Sequence, residues 1–204
     1  MTKLHSRVYG WKHVWSQFSD EHKGEVDDPN PDSSHEKMSI FVPIKDTPWV
    51  VIYTMIPGGK GRSDHTQVDV SYKPQENDSF TFAIYPEHFH HGFKKLLGMQ
   101  DIIIGHDDFD KAFIIKGNDP DVVVQMFADE KLRELILVEP TLQLWAHCDN
   151  ADSSPSSRAL REDHNILSLR LKGAVDDFER LKTIHSIIHR TLGNLCKLKM
   201  VFPN

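Results

Sequence analysis

From Trp49 to Ile56 the chain reads WVVIYTMI, apolar at almost every position, and from His65 to Tyr72 it reads HTQVDVSY, apolar at every second one. The alternation puts Val68, Val70 and Tyr72 on one face of a strand and Gln67, Asp69 and Ser71 on the other, so one face packs and the other is wet. Trp49–Ile56 offers no polar face, which predicts a strand that is central or covered by helices on its second side. SIFVPI before this pair and SFTFAIY after it have the same strand character. Asp46-Thr47-Pro48, IPGGKGRSD and KPQEND separate the four segments. Short runs punctuated by such turn residues predict an antiparallel meander.

The second half pairs strands with helices: SFTFAIY leads into EHFHHGFKKLLG, KAFIIKG into DVVVQMFAD, and ILSLRLKG into a long C-terminal helix. In that last helix Phe178, Leu181, Ile184, Ile188, Leu192 and Leu195 share one stripe, and Asp176 with Glu179 resembles an acidic capping box. Near the N-terminus Val8, Trp11, Trp15 and Phe18 recur at helical spacing, and GEVDDPNPDSSHEK then breaks the pattern with two prolines. The expectation is an α+β fold: a largely antiparallel sheet of about six to seven strands packed by helices, with a long C-terminal helix across the sheet and an amphipathic N-terminal helix. Residues 1–23 form a helical arm, 24–37 a polar linker and 38–204 a single α+β domain in this reading.

Hydrophobic residues make up 39% of the 204 positions and charged ones 26%, enough apolar content for a packed core. The net charge of -6, with no run of lysines or arginines, argues against a nucleic-acid partner. No apolar run approaches the roughly 20 residues of a membrane span, and the N-terminus lacks the apolar core and small-residue cleavage site of a secretory signal. Two cysteines, Cys148 and Cys196, in a chain of this length point to a reducing compartment, so a cytoplasmic location is expected.

The segment GHDDFDKAFIIKGNDPD, residues 105 to 121, holds five aspartates. A calcium loop needs oxygen donors at alternate positions followed by a glycine, but Ala112 and Phe113 occupy those places. Turns and caps account for the carboxylates better: Gly105 permits a positive φ, Phe109 and Phe113 anchor the core, and Asn118 or Asp119 caps a helix that has Pro120 at its first position.

The block GMQDIIIGHDDFDKAFIIKGND, Gly98 to Asp119, resembles a signature of uncharacterised bacterial proteins grouped as a domain of unknown function, with an F-D-x-x-F-x-I core. The similarity extends more weakly to FAIYPE, FADEKLREL and the final strand and helix, about residues 38 to 198. Many members carry membrane helices, from which this chain departs. The resemblance implies no established activity and no catalytic residues.

Thirteen histidines invite a metal reading. His88 and His91 are three apart on the expected EHFHHGF helix, facing away from its apolar stripe, and His185 and His189 are four apart on the C-terminal helix. Neither pair has the glutamate and third ligand of a zinc-protease motif, so all four are weak metal candidates. His147 and Cys148 are adjacent on a strand and point to opposite faces, which separates a base from its nucleophile. IPGGKGRSD lacks the Ser or Thr and the helix that follow a phosphate-binding glycine loop. No catalytic residue and no cofactor is therefore expected.

The leading expectation is a non-catalytic interaction or accessory protein that binds a protein partner or a second copy through Trp11, Trp15 and Phe18 of the N-terminal helix. Two alternatives stand beside it: a small-ligand binder with its cavity under the C-terminal helix, and a metal-dependent hydrolase built on the helix histidines.

Overall fold

The computed structural model describes residues 6–33, 36–59, 61, 63–75, 80–87, 100–148 and 164–202; the side chains of residues 6–9 and 148 fall outside this description. The fold is α+β, with a large antiparallel sheet and a long C-terminal helix. The strands are β1 (Glu25–Asp27), β2 (Met38–Pro43), β3 (Val50–Ile56), β4 (His65–Tyr72), β5 (Phe82–Pro86), β6 (Gln100–Asp101), β7 (Phe113–Gly117), β8 (Gln143–Cys148) and β9 (Asn165–Lys172). The helices are α1 (Ser6–Glu21), α2 (Asp107–Ala112), α3 (Pro120–Met126), α4 (Glu130–Leu137) and α5 (Phe178–Lys197).

The sheet has nine strands in the order β1-β2-β3-β4-β9-β8-β5-β7-β6, not six to seven. The two unforeseen strands are its edges. β1 and β6 have three and two residues, too few to display a period-two pattern, and Glu25–Asp27 lies inside the stretch read as a linker. The meander also ends sooner than expected. β4 pairs with β9, while SFTFAIY, as β5, sits between β8 and β7.

One row of paired residues crosses seven strands: Ile40, Tyr53, Val68, Leu169, Leu144, Ile84 and Ile115. All seven are buried. The helices pack over this row. α5 lays Leu181, Ile184, Ile188, Leu192 and Leu195 into the core, and its N-cap is Asp177, one residue later than the sequence suggested, whose carboxylate accepts from the Arg180 N–H at 2.8 Å. α3 begins as expected, with Pro120 at its start and the Asp119 carboxylate accepting from Val122 N–H. A buried Glu139 after α4 accepts hydrogen bonds from Arg180 at both oxygens, tying the end of α4 to the start of α5.

α1 packs into this core. It breaks at Gly10, where φ is 76°, and from there Val14, Trp15 and Phe18 are buried against Tyr53 and the α5 side. Trp15 Nε1 donates to the Val175 carbonyl at 2.7 Å, Val175 N–H donates to Thr66 Oγ1, and that hydroxyl donates to Gly173 O. This chain of bonds ties α1 to the turn between β9 and α5. Gly24 then lets the chain enter β1 against β2, since a Cβ there would collide with the Phe41 carbonyl oxygen.

Truncating Trp15 to Ala removes the largest fully buried side chain and should lower unfolding free energy by about 3–5 kcal/mol in urea titrations. Trp15→Phe keeps most of the apolar volume, strands the Val175 carbonyl, and should cost about 1–3 kcal/mol. A helix that merely rested on the surface would leave both variants near wild-type stability.

Candidate functional site

The expected partner anchors are placed in this chain's own structure. Trp15 and Phe18 are fully buried, and Trp11 is half-buried with its ring edge-on to Trp15 at 5.2 Å. The expected metal ligands are placed unequally. His185 lies half-buried beneath α1, with its Nδ1 2.9 Å from the Tyr53 hydroxyl and its ring 5.3 Å from that of His22, whereas His189 is exposed one turn further on. Burial, then the neighbouring His22 and His189, push the His185 imidazole down to about 4. Among the described residues no set of three His, Cys, Asp or Glu is placed to hold a metal. His88 and His91, with the helix expected around them, lie outside the described residues.

Of the five aspartates of residues 105–121, Asp108 and Asp110 serve the backbone alongside the Asp119 cap, while Asp107 faces Lys111 at 3.6 Å. Asp110 accepts from the N–H groups of Ile104, Gly105 and His106, and Asp108 accepts from Phe109 N–H. A carboxylate that holds three successive amides shapes a tight turn into α2. In the IPGGKGRSD loop, Asp64 accepts from Gly58 N–H across the base of the β3–β4 hairpin.

The most organised polar group lies on the other side of the sheet. Residues alternate with the apolar row, so β3, β4, β9 and β8 turn Thr54, Gln67, Arg170 and Gln143 to the second face in one row. Ile52, Asp69, Ser168 and Trp145 form the next row. Ser168 Oγ donates to Asp69 Oδ1 at 2.6 Å, and Gln67 Nε2 donates to the same oxygen at 2.7 Å. This fixes which way the Gln67 amide points, and its Oε1 accepts from Arg170 Nε at 3.0 Å. The guanidinium lies 5.4 Å from the centre of the Trp145 ring.

Burial raises the Asp69 carboxyl above the usual range, against the hydrogen bonds from Ser168 and Gln67 and the charges of His147 and Arg170. Burial likewise lowers Arg170, and the Asp69 charge opposes that shift. The outcome is a half-buried arginine whose Nε is held by Gln67 of β4 and whose guanidinium lies over Trp145 of β8, with Asp69 and Ser168 fixing Gln67 in turn. At the end of the same face His65 is held below its ordinary value by burial and by Arg170.

No known protein family and no curated protein matches the chain. Among solved structures it is similar to the crystal structure of the mycobacterial trehalose monomycolate transport factor A, TtfA, with a TM-score of 0.53 and 7% identity over 91% of this chain and 94% of that one. What the two chains share is a fold. At that identity the likeness extends to the architecture alone. Among the described residues no helix is long and apolar enough to cross a membrane.

None of Gln67, Asp69, Trp145, Ser168 or Arg170 was foreseen as a site. The signal present in the sequence was an arginine inside an otherwise apolar alternating strand, LSLRLK, together with the polar set of HTQVDVSY. Their convergence needs the β4–β9–β8 pairing, which neither segment encodes alone.

The His185 site predicts a pH dependence. The folded state resists protonation down to about 4, while in the unfolded chain the imidazole takes a proton near 6.5. The unfolded state thus binds more protons between these values, and stability falls as pH drops from 6.5 toward 4, by at most about 1.4 kcal/mol per pH unit. His185→Phe should flatten this part of the stability profile; an unchanged slope in that variant would assign it to other groups.

Proposed function

We propose that this protein is a non-catalytic interaction or accessory protein of the cytoplasm, and that it meets its partner through the second sheet face rather than through α1. The observation that carries this reading is the Arg170–Trp145 pair. Arginine and tryptophan are the residues most enriched at binding hot spots, and here both belong to rigid central strands. Gln67, Asp69 and Ser168 hold the arginine in place before any partner arrives, which lowers the ordering cost of association. Phe41, Ile52 and Val50 extend the same face with apolar surface, and Val50 is 43% exposed.

The groups that could have served chemistry have structural duties that favour this reading over a hydrolase. His185 is bonded to Tyr53, and Asp69 accepts two hydrogen bonds at one oxygen.

Site-directed photo-crosslinking tests the surface assignment. A crosslinker at Ser71, on the second face, should give one discrete adduct with a partner or with a second copy, saturable by unlabelled chain and lost in Arg170→Glu. The same group at Glu130, on the helix layer, should give none. Adducts from Glu130 alone, or an Arg170→Glu chain that still crosslinks from Ser71, would contradict the assignment.

A further inference from the structure

Arg170, on β9, differs in its pairing from two arginines of α5. Arg180 is neutralised by Glu139, and the more exposed Arg190 reaches Asp129 at 3.0 Å. Arg170 has no such ion pair among the described residues, and its Nη1 and Nη2 make no hydrogen bond there; its bonding is confined to Nε and the Trp145 ring. A guanidinium taken partly out of water with no carboxylate bonded to it is costly, and an incoming anion that accepts from both Nη atoms offsets that cost.

The geometry restricts which anion fits. With Nε occupied by Gln67, the bidentate mode left is end-on, through Nη1–H and Nη2–H, onto two oxygens in the guanidinium plane. A planar carboxylate matches this. Asp69 lies close enough for its charge to be felt at Arg170, so a monoanion meets less repulsion than a phosphate dianion would. The exposed Lys172 sits on the same face at the end of the row and extends the favourable potential for an acidic chain.

We propose that Arg170, lying on Trp145 and oriented by Gln67, is the receptor for a carboxylate presented by an acidic segment of a partner protein. This rests on the interaction reading above and supplies the chemistry of the partner.

The test is an NMR titration of the full chain at constant ionic strength, following the Trp145 indole N–H and the Arg170 Nε–H, with a short polyglutamate peptide, sodium acetate and sodium phosphate as probes. The peptide should shift both signals saturably and bind at least about tenfold more tightly than acetate, with phosphate weaker than the peptide. Arg170→Gln should weaken the peptide by about tenfold or more, as removal of a charge-assisted bidentate pair requires. Gln67→Leu keeps the charge but releases the guanidinium, and should weaken binding several-fold, so the proposal stays testable even if Arg170→Gln misfolds.

Silence of both signals with the peptide, tighter binding of phosphate, or a Gln67→Leu chain that binds like wild type would each overturn the proposal. Acetate binding as tightly as the peptide would overturn its protein source in favour of a small carboxylate. A silent titration alongside an intact Ser71 crosslink would reject the carboxylate and leave the interaction surface standing; loss of both would reject the two together.

Discussion

Every other feature of this structure depends on one row of side chains, Ile40, Tyr53, Val68, Leu169, Leu144, Ile84 and Ile115, paired across seven strands and buried beneath the helices. Because side chains alternate along a strand, sliding β4, β9 or β8 by a single residue would carry its buried apolar set to the opposite face. The row therefore fixes the register of these three strands, and with it the placement of Gln67, Asp69, Ser168, Arg170 and Trp145 on the opposite face. The site and the core are two readings of one alternation.

The helix side shows how polar groups are used within that constraint. Asp177, Asp119 and Asp129 each satisfy an amide at a helix start, and Asp110 gathers three amides before α2. Tyr53 reaches through the core to His185, and Trp15 reaches to Val175. These groups carry donors and acceptors that would be expensive to leave unpaired when buried, and each has found a partner within the fold. Arg170 stands apart because its pairing stops at Nε.

Legibility in the sequence follows the range of the interaction that decides each feature. Asp119 with Pro120, the five-carboxylate segment and the C-terminal stripe are local patterns, and they were readable from neighbours three or four residues away. The cap at Asp177 in place of Asp176 is a one-residue error of the same local kind. The short edges β1 and β6 exist because a long neighbour supplies their pairing, so their own residues carry no period to read. The seat of β9 beside β4 depends on Leu167, Leu169 and Leu171 meeting Val70, Val68 and Thr66 across about a hundred residues of chain, a match visible only after pairing. The Arg170 group inherits that limit. The N-terminal helix was recognisable from Trp11, Trp15 and Phe18, but an apolar stripe records only that a face is covered, and the same spacing serves a partner's groove or the chain's own sheet.

The central claim is that the row and the helices over it, α1 included, form one cooperative unit that presents the second face rigidly. Native-state amide hydrogen exchange tests it most directly. The account predicts that the amides of residues 14–18 in α1 exchange with the same opening free energy as those of β3, β4 and β9, through global unfolding. Exchange from 14–18 at a much lower free energy, while the central strands remain protected, would contradict it and return α1 to the status of a separable arm.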